Sequence, residues 1–408
     1  MRRFWGTGDW RYQTFLVALS VGFFFAALYM LTGSGTPQPL YPEWAFGSDS
    51  YREVLNGTSD TDSGIRHLLY VVVATPLYWL GTALFGSANA VDGLTRAMVF
   101  PGALFGALNT YVAGLLFFRC AQSTFPAAAF SVIYAYSSSN LFFSAFPDIY
   151  IATGLTSSLF LLLMFDGFDR HSTKSVAVFN AVISYMSPQQ IFLAIIPGFR
   201  RLLEVLAGTR RFRDLVVWTM IYTAILIAVF VIPYLIYLEL FGPGWIFPRA
   251  YPGFIGEPEN VTNLADFLIG FEHYLIYGII APPIDWRIYV DGILSVLSAA
   301  PYIWWAFLAV YGILVLGALY GALSRRIWLF GYFWPICAYS AWFMAFFVFF
   351  NPTEPFLAAH GLVLPWLLIV QAGYLNLTGR IWPIILSLVG IVTLANSAIL
   401  TVFLRSFL

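Results

Sequence analysis

Residues 97 to 118 read Ala-Met-Val-Phe-Pro-Gly-Ala-Leu-Phe-Gly-Ala-Leu-Asn-Thr-Tyr-Val-Ala-Gly-Leu-Leu-Phe-Phe, an uncharged run bracketed by Arg96 and Arg119. As a helix rising about 1.5 Å per residue it would be about 33 Å long, which matches the roughly 30 Å hydrocarbon core of a bilayer. Comparable runs lie at about 14 to 32, 126 to 145, 149 to 165, 215 to 237, 299 to 322, 328 to 350, 358 to 375 and 381 to 403. The stretch 176 to 206 is interrupted by Ser187-Pro188-Gln189-Gln190 and reads as two short helices meeting at a polar break. The pattern predicts an all-α polytopic membrane protein with about eleven transmembrane helices.

Composition agrees. Of 408 residues 60% are hydrophobic and 10% charged, against roughly 25% charged in a soluble domain, so an ordinary soluble enzyme is excluded. Twenty basic residues balance twenty acidic ones, and no global field favours nucleic acid. Cys120 and Cys337 sit in or beside apolar runs without nearby His, so neither a zinc site nor a disulfide framework is indicated. A nucleotide-phosphate loop, a His-Glu-x-x-His motif and a serine elbow are missing from the sequence.

Loops kept on the cytoplasmic side are enriched in Arg and Lys. Arg2, Arg3 and Arg11 place the N-terminus inside; Arg119, Arg170 with Lys174, the cluster from Arg200 to Arg213, Arg325-Arg326 and Arg380 mark further inner loops. The acids of 33 to 66 and of 238 to 298 then face outward. This holds only if the apolar stretch 68 to 85, with Pro76 and Gly81 inside it, stays on the outer side without crossing. Arg200 and Arg201 would have to snorkel inward from the second half of the broken pair. Three regions result: 1 to 240 with the outer loop 33 to 96, a long outer loop 241 to 298, and C-terminal membrane helices 299 to 408. The Arg-over-Lys bias suggests a GC-rich bacterial genome and hence a bacterial inner membrane.

The first outer loop reads Phe46-Gly-Ser-Asp49-Ser-Tyr51-Arg52-Glu53-Val-Leu55-Asn56-Gly57, followed by His67-Leu-Leu-Tyr70 and the non-crossing run ending Leu84-Phe85-Gly86. Arg96 opens the second span, Arg119 closes it, and Ser144-Ala-Phe-Pro147-Asp148 supplies an outer acid after the third. This succession resembles the C superfamily of glycosyltransferases, polytopic enzymes that take sugars from polyprenyl-phosphate donors, over roughly the first 240 residues. Ser50 stands where many members have a second acid, Leu68 where many have Pro, and Asn351 to His360 where many have an acid with an Arg-Tyr pair. Those departures bear on donor class and sugar more than on fold.

The resemblance implies transfer of a sugar from a polyprenyl-phosphate donor to a cell-envelope glycan or glycolipid at the outer face, with inversion. Asp49 is then the candidate base, since transfer to a hydroxyl needs a proton acceptor within hydrogen-bond reach; a loop solubiliser or helix cap is the alternative. Asp148 is the second catalytic candidate, or else a helix N-cap after Pro147. Arg96, His67 and Arg249 are candidates for the donor phosphate. His67 also reads as a plain interfacial residue, and Arg249 as a solvated loop Arg. Gln189 and Gln190 resemble the place where members put a polar residue near the lipid phosphate; helix termination explains them as well. Tyr51, Trp245 and Trp286 are candidates for sugar or lipid contact, as are Glu354 and His360, which flank a short outer turn. No protein-held metal is indicated, and a divalent cation is the one cofactor left open. The other reading is a transporter or flippase of lipid-linked saccharides, whose acids would line a path near mid-membrane; it would be expected to carry internal repeats, and none is evident. A third is a non-catalytic membrane subunit.

Overall fold

The computed structural model describes residues 10–30, 68–86, 91–145, 149–165, 172–241, 278–280, 301–324, 332–350 and 355–407. Every regular element among them is helical: α1 (Trp10–Met30), α2 (Leu68–Phe85), α3 (Val91–Ala121), α4 (Thr124–Ala135), α5 (Ser138–Ala145), α6 (Tyr150–Phe165), α7 (Thr173–Ile183), a 3₁₀ segment (Pro188–Ala194), α8 (Ile195–Leu206), α9 (Phe212–Leu226), a π turn (Ile227–Val231), α10 (Ile232–Phe241), a lone turn Gly278–Ile280, α11 (Pro301–Ser324), α12 (Phe333–Phe350), α13 (Pro355–Tyr374) and α14 (Ile381–Phe407). Among the described residues five stretches are long and apolar enough to cross a membrane: Trp10–Met30, Arg96–Ala121, Phe212–Ile236, Trp305–Leu323 and Ile381–Val402. The described residues are therefore all-helical, and their long apolar helices are compatible with an integral membrane protein.

Helix α3 is the hub. Its Arg96–Ala121 stretch is 78% buried, against 22 to 33% for the other four. The reason is its small residues, which let neighbouring backbones close in. A methyl group on Gly106 would overlap Ser144 and Phe23, and one on Gly114 would overlap Leu16. Helix α1 runs antiparallel to it: Tyr12 donates to the Gly114 carbonyl (2.7 Å) and stacks on Phe118, Phe24 meets Phe100, and Tyr29 lies under Arg96.

The ring and glycine contacts of α2 fall on the Arg96 half of α3. Tyr70 packs on Phe105, Gly81 on Ala97 and Phe100, and Phe85 on Phe100. Ala97 to Phe105 is about 12 Å of helix axis, so α2, about 27 Å long, is inclined across one half of the hub.

One expectation is corrected. The run 126 to 145 is two helices, not one, parted at Tyr136 and Ser137. The Ser137-Ser-Ser-Asn140 stretch causes this, because its side chains take over carbonyls that a continuous helix would use. Ser137 Oγ donates to Tyr134 O (2.8 Å) and Asn140 Nδ2 to Ala135 O (3.1 Å), while Ser397 Oγ reaches Tyr136 O (2.5 Å). Within the stretch 241 to 298 the described residues are 241 and 278 to 280. Gly278 and Ile279 are buried against α5, α13 and α14, and Ser139 Oγ donates to Gly278 O at 2.8 Å. Arg200 and Arg201 are both paired with Glu204.

The break in 176 to 206 separates two short helices, joined through the 3₁₀ segment. Ser172 caps α7, accepting from Ser175 N–H at 3.1 Å. At the tip the Asn180 amide, oriented to match its surroundings, donates to the Gln190 carbonyl (2.9 Å) and accepts from Ala194 N–H (3.2 Å) and Tyr222 O–H (3.0 Å). One side chain thereby satisfies backbone groups that the Pro188 break releases.

Candidate functional site

Two features stand out where the half-length elements end. The first is a contact of tips. Leu69 N–H at the start of α2 donates to the Tyr185 carbonyl at the end of α7 (3.1 Å). Tyr185 is itself fixed, its hydroxyl donating to Val229 O at 2.7 Å in the π turn and its ring meeting Phe230 edge-on. The π turn presents that carbonyl because its wider winding takes Val229 out of the ordinary ladder. Gln190, two residues into the break, is buried, and its Nε2 donates to Thr153 O (2.7 Å) and Ser157 Oγ (3.3 Å) on α6. Thus α2, the broken pair, α6 and the π turn are tied together around one level of the bundle.

The second feature is a polar layer beside that level. Asn109 on α3 lies about 20 Å along the axis from Arg96 and about 15 Å from Arg119, close to the middle of the span. Its Nδ2 donates to Tyr134 Oη (2.7 Å) and Asn140 Oδ1 (3.4 Å), and its Oδ1 accepts from Ser158 Oγ (2.6 Å). Asn140 Nδ2 reaches Thr110 Oγ1 at 3.4 Å. All five side chains are almost wholly buried. Polar groups at such depth are costly unless paired, and here they pair across α3, α4, α5 and α6.

His360 joins this layer. It had been expected beside an outer turn; instead it sits inside α13, 2% exposed, with its ring edge-on to Phe143 at 5.8 Å. The ring presses on the α6 backbone at Gly154, where a methyl group would overlap it and stand 3.0 Å from Asn109 Nδ2. Glycine is required there by close approach, not by backbone conformation. Among the described residues neither ring nitrogen has a hydrogen-bond partner, and the same is true of Gln190 Oε1 and Thr153 Oγ1. These atoms flank residues 153 and 154 of α6, so unused hydrogen-bonding capacity gathers at the start of that helix.

Of the other sequence candidates, Arg96 is at the opposite end of α1 from Tyr12, its guanidinium 4.9 Å from the Tyr29 ring centre, and its Nε has no partner among the described residues. Gln189 is half-buried beside Gln190. Asp49, Tyr51, His67, Asp148, Trp245, Arg249, Trp286 and Glu354 lie outside the described residues. Among those described, no three His, Cys, Asp or Glu side chains converge as metal ligands. Sequence reasoning overlooked Asn109, Tyr134, Asn140 and Ser158. The available signal was a lone Asn in a charge-free span and an Asn closing a serine run.

No family model, curated protein or solved structure matches the chain.

Proposed function

We propose that the chain is a membrane glycosyltransferase of the C superfamily, transferring a sugar with inversion from a polyprenyl-phosphate donor to a cell-envelope glycan or glycolipid. The reading places about eleven spans in a bacterial inner membrane, with a catalytic module over 1 to 240 and the chemistry on the outer side. The observation that carries it is the tip contact of Leu69 N–H on Tyr185 O at 3.1 Å. A non-crossing apolar segment after the first span and a broken helix pair after the fourth are the two irregular elements in the succession from which the resemblance was drawn. Their ends meet, with Gln190 buried beside them.

Within this reading the acceptor hydroxyl gives its proton to Asp49 as its oxygen attacks the anomeric carbon. The bond to the donor phosphate breaks, and the lipid phosphate leaves as an anion that needs no proton. Asp148 is the alternative base. Arg96, His67 and Arg249 would stabilise the growing negative charge on the phosphate, with Gln189 and Gln190 at the lipid side. Tyr51, Trp245, Trp286, Glu354 and His360 are proposed to contact substrate, His360 through its ring nitrogens. A divalent cation would have to be held by groups outside the described residues.

The transporter reading asks for charged groups at mid-depth. The mid-depth layer described here consists of Asn109, Thr110, Tyr134, Asn140, Ser158 and His360, all uncharged or readily neutral, which favours the enzyme. The deciding experiment is single-turnover transfer from a labelled polyprenyl-phosphate sugar to a solubilised envelope extract, with wild type and Asp49→Asn in parallel. Asn keeps the size but cannot take the proton, so turnover should fall about 10² to 10⁴-fold with donor binding kept. Wild-type protein that binds donor yet never cleaves the sugar–phosphate bond, over a broad set of sugars, would favour the transporter. Near-normal turnover of Asp49→Asn would move the base to Asp148.

A further inference from the structure

The end of the molecule away from Arg96 carries a second organised site. Between residues 200 and 214 stand five Arg (200, 201, 210, 211, 213) and two acids (Glu204, Asp214), so five minus two leaves +3. The Glu204 carboxylate gathers three of the guanidiniums: Arg201 Nη1 at 2.7 Å, Arg210 Nε at 2.8 Å and Arg200 Nε at 3.3 Å. Arg210 belongs to the turn after α8, so this carboxylate pins the turn back onto the helix. Gly208, with φ of +71°, allows the chain to reverse, and Thr209 Oγ1 and N–H both donate to Glu204 O (2.7 and 2.9 Å). Burial on its own would raise the Glu204 pKa; hydrogen bonding and charge from Arg201, then Arg200, outweigh it and hold the carboxyl below its usual value. The turn is therefore held in one shape by an ionised clamp.

That shape encloses an open depression of about 600 Å³ lined by Glu204, Gly208, Thr209, Arg210, Arg211 and Asp214. The turn is flanked in the chain by two exposed apolar residues, Leu206 at 74% and Phe212 at 67%. From Phe212 an exposed apolar face continues along α9 through Val216, Val217, Met220 and Ile221. A soluble anion would gain nothing from such a face, whereas a lipid would lay its chains along it.

We propose that the α8–α9 turn binds the phosphate of an anionic phospholipid in the leaflet facing the N-terminus, with the acyl chains against the exposed face of α9. Arg210 and Arg211 supply the donors at the depression. At the depression Arg210 and Arg211 offset Glu204 and Asp214, and the surplus of three comes from Arg200, Arg201 and Arg213 around it; an anionic headgroup complements that surrounding positive field, and juxtamembrane arginines each strengthen such binding. The site lies at the other end of the bundle from the proposed sugar chemistry and does not depend on it.

The test uses the full chain reconstituted in nanodiscs of phosphatidylcholine with or without phosphatidylglycerol, followed by mass measurement of lipids retained after mild detergent exchange. Wild type should retain phosphatidylglycerol over phosphatidylcholine, and Arg210→Gln/Arg211→Gln should lower that preference about tenfold or more, since two charges are removed. Arg211→Gln alone leaves the Glu204 clamp intact and should show an intermediate loss, which protects the test if the double variant folds poorly. Millimolar inorganic phosphate should leave the preference unchanged. No preference in wild type, equal retention by the variants, or displacement by inorganic phosphate, which would identify a soluble-anion site, would each overturn the proposal.

Discussion

Gly154→Ala probes the most constrained contact in the bundle, where α6, α3 and α13 meet. The added methyl would overlap the His360 imidazole and stand 3.0 Å from Asn109 Nδ2, tighter than ordinary van der Waals contact. His360 cannot swing aside freely, being 2% exposed with Phe143 across its face. Overpacking of this kind costs about 1 to 3 kcal/mol, and a stiff ring places it at the upper end. Against this, Ala is better than Gly in a helix by about 1 kcal/mol. The net expectation is a loss of about 2 kcal/mol, or a fall of a few degrees in the unfolding midpoint. His360→Ala also destabilises, by leaving a cavity. In Gly154→Ala/His360→Ala the methyl occupies part of that cavity, so the pair should be less damaged than the sum of the singles by about 2 kcal/mol. The assay is thermal unfolding of the four proteins in one detergent, followed by intrinsic fluorescence. A Gly154→Ala protein as stable as wild type, or a double variant no better than the additive sum, would refute the close approach of His360 to α6.

Replacing Arg96 by Lys keeps the charge but loses two-pronged contact, so if Arg96 holds the donor phosphate single-turnover transfer should fall clearly, and Ala should be worse; an Arg that only covers Tyr29 would instead give a near-neutral Lys and a purely thermal defect in Ala. Because the Glu204 pKa is depressed in the folded protein, its clamp contributes fully above the unfolded carboxyl value near 4.5 and is lost as pH falls through the lower folded value. The midpoint of wild type should thus drop below about pH 4.5 more than that of Glu204→Gln; parallel profiles would show that the clamp adds nothing. A cysteine placed at Ser87 should react with an impermeant maleimide from the outer side alone, and labelling only from the cytoplasm would reverse the topology.

The helical class was legible because lipid imposes a simple rule: long uncharged runs become helices, and among the described residues five of them are long and apolar enough to cross a membrane. The breaks were less legible, for a physical reason. At Pro188 the sequence announces the interruption, since proline lacks an N–H and the adjoining glutamines are polar. At Tyr136 and Ser137 it does not, because serines are tolerated inside membrane helices and interrupt one only where other groups claim the freed carbonyls. One of those groups is Ser397, 261 residues away, which no local pattern could supply. The burial of Gly278 and Ile279 likewise depends on Ser139 across 139 residues of chain.

The same distinction governs the site. His360 was visible as a rare residue, yet its position in sequence, after Pro355 and close to Glu354, suggested a turn. What carries it inward is a space opened by Gly154 on another helix, and glycine is too common here, at 33 residues, to have singled that position out. Asn109 escaped notice for the opposite reason, since one amide in a charge-free run carries little weight until Tyr134, Asn140 and Ser158 are seen to use both ends of it. Buried polar groups in a bundle thus declare themselves as a set, through mutual satisfaction between helices, and their cost if unpaired is the physical reason to look for that set. By that measure His360, Gln190 and Thr153 mark the unfinished part of the layer.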